Sequence, residues 1–432
     1  MTLKRILWAA VLLYSALHLG YSIVRYDVFS GASSGDFNRA YLEALEWRTS
    51  MGAGAAVWHF HPPFYYAILL GLDSLLGGRQ PVTYFFYFIQ FLLFPIAVAC
   101  LVKAAYAGTK RPPLAAYGIA AVLALNFQPL LETLAQHKVE GIEFFLICLA
   151  ILAFRRSRDL VCGGLLMGAA NLKYLPALLI VHCGIKREWK ILLGSLAGAA
   201  VVSGVVFAAF GPRVLSSGFL GQAAGLMLDH KHEGNTPEAS VEMQTLSGTV
   251  NRWFARPAPP TPFMQYICVG SYMPVPNPKR AFRVALILKL LAVAGWVLWI
   301  RRKRSREKEP GGTLHLLEIS LTLAMILVIS QAARVHYSIL VLPGFILVGL
   351  LLAQPQRRFG LPEKCLFGLA YALTGMLIPG GLLNHLPPHP VWGQSYSLMY
   401  LWWSLPFYGI LLFALSAALC HHRIRKGASI GK

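Results

Sequence analysis

The stretch RRSRDLVCGGLLMGAANLKYLPALLIVHCGIKREWK, residues 155–190, decides the fold. Two apolar runs, Leu160–Ala170 and Leu175–Cys183, lie between the basic clusters Arg155-Arg156-Ser157-Arg158 and Lys186-Arg187-Glu188-Trp189-Lys190. They meet at a polar tip, Asn171-Leu172-Lys173-Tyr174. Short loops rich in Lys and Arg stay on the cytoplasmic side of a bilayer. The pattern predicts a helical hairpin with cytoplasmic ends and an outward-facing tip.

The same alternation continues in both directions. Apolar runs of about 20 residues, the length that crosses a bilayer, recur at Ile6–Val24, Ile191–Phe210, Val284–Ile300 and Leu314–Ser330. None alternates at the period-two spacing of an outer-membrane barrel strand. Only 13% of the residues are charged, about half the share usual in a soluble domain. The expected fold is an all-α, polytopic membrane protein with roughly 11 to 13 transmembrane helices.

The net charge of +21 admits a nucleic-acid reading, but the basic residues bunch at the ends of apolar runs, as the sidedness rule requires. The densest block, Arg301–Lys308, is then cytoplasmic, with Lys4-Arg5 near the N-terminus and His421–Lys426 near the C-terminus. Ile6–Val24 lacks a small-x-small cleavage site ahead of a soluble domain and reads as an anchor rather than a removed signal peptide. The expected localisation is the cell (inner or plasma) membrane, with both termini cytoplasmic. The expected organisation is a single membrane-embedded domain over 1–426, with outer loops at 25–61 and 211–282 and a short tail at 427–432. One part breaks the count. Going back from Arg155 puts Lys103–Arg111 inside and Arg79 outside, whereas going forward from Lys4 puts Arg79 inside. One segment between residues 60 and 130 therefore behaves as a re-entrant segment would, and charge does not say which.

The other polar breaks mix carboxylates, amides, aromatic groups and isolated cations, and they fall on the outward side. Asp36 is one of five aspartates. It opens a stretch in which Phe37, Tyr41 and Leu45 recur at four-residue spacing while Arg39, Glu43 and Glu46 take another face. That is an amphipathic helix able to lie at the membrane surface. Asp36 suits a helix N-cap as well as a chemical role. Lys173 at the hairpin tip either snorkels or meets an anion, and Lys138 and Arg334 occupy similar tips. His61, in Trp58-His59-Phe60-His61-Pro62-Pro63, sits where two prolines stop the preceding chain from being helical.

Several classes find no support. His59 and His61 form an HxH pair without a third ligand, so no metal site is expected and a divalent ion has no ligand set. There is no Asp-x-Asp, no GxxxxGK[ST] phosphate loop and no HExxH. Gly31-Ala32-Ser33-Ser34-Gly35 matches a hydrolase elbow by letter but lacks the strand that would carry it. The seven cysteines contain no CxxC pair. No cofactor is expected.

The ordered set of motifs resembles the bacterial polyprenol-phosphate-mannose-dependent α-mannosyltransferases, within the C-type superfamily of multi-span glycosyltransferases. The matching pieces are Asp36-Phe37 with Tyr41; Phe60-His61-Pro62-Pro63; Gln136 within Ala135-Gln136-His137-Lys138; and Gly163–Pro176, which includes Asn171-Leu172-Lys173-Tyr174. Further on come Gln244-Thr245-Leu246-Ser247-Gly248 with Arg252, and Ser330 with His336-Tyr337 before Pro343. The chain departs from the family at His61, where Tyr is frequent, at Ala135-Gln136-His137-Lys138 in place of Gly-Gln-x-Asn, and at Met243-Gln244-Thr245 in place of Asn-Gln-Ser. Those positions bear on the sugar and acceptor rather than on the reaction class.

The resemblance implies an extracytoplasmic active site and inverting transfer of a sugar from a polyprenyl phosphate to a hydroxyl acceptor on a lipid or glycan. Mannose is favoured over arabinose or another sugar. Asp36 would be the catalytic base. Lys173, Lys138, Arg252 and Arg334 would bind the donor phosphate. Tyr41, His61, Gln136, Tyr174, Gln244 and His336 would contact substrate. The competing class is a transporter or flippase of polyprenyl lipid or small solute. Such a protein calls for internal repeats and mid-membrane charges, and this sequence offers neither. A non-enzymatic scaffold would not need several polar tips on one side.

Overall fold

The computed structural model describes residues 3–25, 35–50, 61–109, 111–211, 245–254, 278–302, 312–330, 335–354, 359–378, 383, 386–387 and 404–430. Among these residues the secondary structure is helical, with no strand. The protein is an all-α polytopic membrane protein. Five of the described helices are long and apolar enough to cross a membrane, or six if a bent pair counts as one span, and five more are shorter and apolar. The chain divides into two compact units.

The first unit holds α1 (Leu3–Arg25), α2 (Gly35–Ser50), α3 (Pro63–Leu76), α4 (Arg79–Ala105) and α5 (Leu114–Leu125). It also holds most of α6 (Gln128–Ala135), then α7 (Glu140–Arg155), α8 (Asp159–Leu172), α9 (Ala177–Lys186) and α10 (Trp189–Phe210). The hairpin read from residues 155–190 is α8 and α9. Lys173 breaks α8 with an extended backbone, φ −149° and ψ 148°, and Pro176 precedes α9. α8 and α10 run parallel along a seam of glycines. A Cβ on Gly163 would stand 2.0 Å from the Ile191 carbonyl oxygen, and one on Gly194 would stand 2.2 Å from that of Leu160. Gly198 meets Gly164 and Met167 further along. Small residues let the two backbones approach this closely where lipid offers no hydrophobic drive. Ser195 seals the seam by donating from Oγ to the Gly163 carbonyl, 3.2 Å away.

Two contacts and one helix length bear on the direction of the remaining helices. Arg155 Nε donates to the Ala104 carbonyl at 2.9 Å, so α4 ends where α7 ends. A cation there suits the carbonyls left open at a helix C-terminus. His18 Nδ1 lies 3.1 Å from the Leu125 carbonyl oxygen, so α5 ends beside the second half of α1. α4 is 27 residues long, about 40 Å at 1.5 Å per residue. Its Arg79 end is therefore at the opposite end of the unit from Arg155. The basic turns 155–158 and 186–190 share one end with Lys103, and the Lys173 tip is at the other.

α4 begins at the tip end, and α3, which ends at Leu76 just before it, finishes there. Pro63–Leu76, read from the sequence as a span, is a 14-residue apolar helix, and its buried neighbours on α4, α8 and α10 are Val82, Phe86, Leu172, Val202 and Val206. α2 packs alongside it. Phe37, Tyr41, Ala44 and Trp47 of α2 join Tyr65, Tyr66 and Leu69 of α3, Val82 and Phe86 of α4, and Val202 and Val206 of α10 in one buried cluster. The amphipathic helix α2 is thus a packed element, with Phe37, Tyr41, Ala44 and Trp47 turned into the protein. A further helix that the sequence reading did not separate is α6, set at 69° to α5.

The second unit contains α11 (Leu246–Phe254), α12 (Pro278–Arg302), most of α13 (Thr313–Ile329), a 3₁₀ turn (Val335–Val341), α14 (Leu342–Leu352), α15 (Leu361–Gly375) and α16 (Leu405–Ile430). α14 is apolar on every side and buried along its length, as a central helix must be. Phe345 packs on Phe413 at 4.1 Å between ring centroids and edge-on to Tyr371 at 5.7 Å. Val250 of α11 and Ala285 of α12 form a smaller cluster. At one end Arg423 Nη1 donates to Glu363 Oε1 at 2.8 Å.

Candidate functional site

The tip end of the first unit collects the polar groups. Asp36 is the second residue of α2, and its side chain lies outside the described set. Two phenol–carboxylate bonds hold its helix against α3. Tyr41 donates its hydroxyl hydrogen to Asp73 Oδ1. Tyr66 donates to Glu43 Oε2 at 2.7 Å, and Arg39 Nε also reaches Glu43, at 3.1 Å. Burial, then the bond to Asp73, pushes the Tyr41 phenol up to about 12. His61 lies in the same layer. Its backbone N–H donates to the Tyr66 hydroxyl at 3.2 Å, and its ring stands 4.9 Å from that of Tyr65. Pro62 and Pro63 fix this entry into α3.

The second group of polar residues surrounds the start of α7. The chain turns after α6 through Gln136 and His137, whose φ of +54° is left-handed. Lys138 follows, buried at 7% exposure, and donates its backbone N–H to the Thr133 carbonyl at 3.1 Å. His137 is buried with its ring 5.3 Å from that of Tyr87, and burial lowers the pKa of its imidazole. Gln136 is half-buried.

Glu140 and Glu143 then occupy the first turn of α7, one helical turn apart, at 1% and 0% exposure. Lys173, from the α8–α9 tip, is ion-paired to Glu140. Glu143 is close enough to interact electrostatically with both. Neither oxygen of Glu143 has a hydrogen-bond partner among the described residues. On the other flank, Gly141 makes room for Gln90 of α4, whose Oε1 would be 2.4 Å from a Cβ at 141. Tyr174, next to Lys173, is half-buried, and burial pushes its phenol up to about 12.

These two groups share a floor. Phe37, Val139 and Leu172 all belong to the buried cluster that contains α2 and α3. They are the sequence neighbours of Asp36, of Lys138 and Glu140, and of Lys173. In the first unit, Tyr41 and the neighbours of Asp36, Lys138 and Lys173 thus belong to one buried cluster, and the His61 ring packs on Tyr65 of that cluster. Arg252, on α11, and His336, in the 3₁₀ turn with its ring 4.5 Å from that of Tyr337, belong to the second unit. The Arg252 side chain, Gln244 and Arg334 lie outside the described residues. No group of three or more metal-ligating side chains occurs among the described residues.

Sequence reasoning passed over Glu140, Glu143 and Asp73. A signal existed for the glutamates, because ionisable residues three apart at the entry to an apolar run are functional candidates by default. Their partner could not be read, since Lys173 is 33 residues away.

Comparison with known proteins adds one positive finding. The sequence model of glycosyltransferase family 87 matches residues 58–330. The match covers the α6–α7 turn and the α8–α9 tip and begins after α2. Among curated proteins, none matches the chain.

Proposed function

The chain belongs to glycosyltransferase family 87, and from that premise we propose that it moves a sugar from a polyprenyl phosphate to a hydroxyl acceptor, with inversion, at the tip end of the first unit. It is a membrane glycosyltransferase. The donor class, the preference for mannose over arabinose or another sugar, and an extracytoplasmic face for the tip end are the parts we propose. The observation that carries the reading is the shared floor, because it supports a site in which one carboxylate helix and two lysines come from distant stretches of chain.

The chemistry asks for little. A hydroxyl is a weak nucleophile and needs a carboxylate to take its proton as it attacks; Asp36 has that role. The acceptor oxygen bonds to the anomeric carbon while the bond from that carbon to the phosphate oxygen breaks. The electron pair leaves with the phosphate, whose charge becomes more negative by one. Fixed positive charge beside it stabilises the transition state, and Lys173 and Lys138 supply it. Gln136, Tyr41, His61 and Tyr174 offer hydrogen bonds and ring faces to the sugar. The donor bond supplies the driving force, so no nucleotide triphosphate is needed. Opposite-sided basic turns, Arg155–Arg158 and Lys186–Lys190, support the outward orientation of the tip by the sidedness rule.

The test is incubation of the purified full-length protein with labelled polyprenyl-phosphate mannose or arabinose and a hydroxyl acceptor. Release of polyprenyl monophosphate with label transferred is expected. Passage of the intact lipid across a vesicle without release would overturn the reading.

A further inference from the structure

Where α4 passes the start of α7, buried polar groups meet without pairing. Gln90 stands near the middle of α4, a helix long and apolar enough to cross a membrane, and it is 2% exposed. Neither its Oε1 nor its Nε2 has a hydrogen-bond partner among the described residues. His137, in the α6–α7 turn, is 1% exposed, and its Nδ1 is likewise unpartnered among them. Both side chains line the contact between α4 and the start of α7. That of Gln90 lies along Gly141, where a Cβ would stand 2.4 Å from Oε1 and 3.0 Å from Cδ. The His137 ring stands 5.3 Å from that of Tyr87, which lies one helical turn before Gln90 on the same face of α4.

An amide buried without partners gives up the hydrogen bonds that water offered it, so it destabilises the fold unless something else pairs with it. Polar side chains inside a membrane protein are expensive and tend to serve a binding path. Gly141 points the same way. Alanine there would suit a helix better but would take the room that the amide occupies. The chemistry of the seam selects its ligand. The amide offers two donors and an acceptor in one plane, and an imidazole nitrogen donates or accepts according to its tautomer. Neither group supplies the fixed positive charge that an anion asks for. Hydroxyls, which both donate and accept, match both groups. Tyr87 adds an aromatic face on which the C–H edge of a sugar ring can pack. His137 directly precedes Lys138, and Gly141 directly follows Glu140, the ion-pair partner of Lys173.

We propose that Gln90 and His137 form a subsite for the hydroxyls of an uncharged sugar ring, with Gly141 making the room in which the amide is held. This rests on the transfer reading above and deepens it. The position beside Lys138 and the Lys173 ion pair favours the sugar of the donor. An acceptor sugar has the same chemistry, and the experiment tells the two apart.

The experiment compares full-length wild-type protein with Gln90→Met. The donors are polyprenyl-phosphate mannose or arabinose and singly deoxygenated analogues of each; the acceptors are methyl mannoside and its singly deoxygenated analogues. Met has nearly the length of Gln and fills the same space without the amide. KM for the sugar substrate rises about five- to a hundredfold, the loss of two hydrogen bonds. The thermal midpoint is kept or raised, because an unpaired buried amide has gone. The wild type discriminates against at least one deoxygenated donor, and Gln90→Met loses that discrimination. Loss of discrimination among acceptors instead supports the subsite and assigns it to the acceptor. The ratio of parent to deoxygenated substrate, measured within one protein, does not depend on how much of that protein is folded, so a structural role cannot move it. Unchanged ratios for every analogue overturn the inference, as does a Gln90→Met protein that no longer folds. If the wild type transfers sugar and the ratios are unchanged, this inference alone fails. If the wild type transfers neither sugar from the polyprenyl phosphate, the transfer reading fails and this subsite with it.

Discussion

Tyr66 on α3 donates its hydroxyl hydrogen to Glu43 on α2 across 2.7 Å, and both side chains are buried. With the Tyr41–Asp73 bond, this locks α2, whose second residue is Asp36, onto α3. Tyr66→Phe leaves a buried carboxylate oxygen without its donor, which costs about 1–3 kcal/mol. Thermal unfolding should show the loss, and sugar transfer should fall with it because Asp36 is no longer held in register.

Asp36→Asn tests the base. The amide cannot take a proton from the acceptor, so turnover should fall by about a hundred- to ten-thousandfold. Insertion into membranes and thermal midpoint should match the wild type. Near-normal turnover in the labelled-donor assay would reject Asp36.

Lys173→Met leaves Glu140 and Glu143 buried without their ammonium, and breaking such a pair from one side costs about 3–5 kcal/mol. The double variant Lys173→Met with Glu140→Gln should recover much of that stability but none of the donor affinity. A double-mutant cycle on the thermal midpoint and on donor KM separates the two effects.

His137 gives a pH dependence of known sign. Burial lowers its folded pKa below the ordinary value, so the unfolded chain takes up a proton first as pH falls. Its contribution to stability is present above the unfolded value of about 6.5 and is lost as pH drops through the folded one. His137→Asn tolerates the left-handed backbone and removes the titration. Its unfolding midpoint should be flatter over this acid window than that of the wild type.

The glycine seam gives a matched pair. A Cβ at Gly163 falls 2.0 Å from a backbone oxygen, which cannot swing away, whereas at Gly164 the nearest atom is 3.8 Å distant. Gly163→Ala should destabilise by about 1–3 kcal/mol or more. Gly164→Ala should be close to neutral, as thermal unfolding of the two variants would show.

Much of the first unit was legible because its signals are local. Arg155–Arg158, Asn171–Tyr174 and Lys186–Lys190 bracket α8 and α9 directly, and Trp189–Phe210 is a continuous apolar run. The packing of α3 against α2 was not legible, since Phe64–Leu72 reads as a plain apolar run and its partners Glu43, Phe86 and Val206 are far off in sequence. Of the site, Lys173 was visible as an isolated cation at a tip. Its carboxylate partners were not, because a pairing across 33 residues leaves no periodic trace.

The packing of α3 against α4 and α10 bears on how the protein is made. Val82 and Phe86, which wall its pocket, are translated after it, and Val202 and Val206 much later. A nascent α3 emerging from the ribosome has an apolar surface and no permanent neighbours. Its final seat exists only once α4 and α10 have inserted, so the cradle for α2 is among the last parts of this unit to be finished during biogenesis.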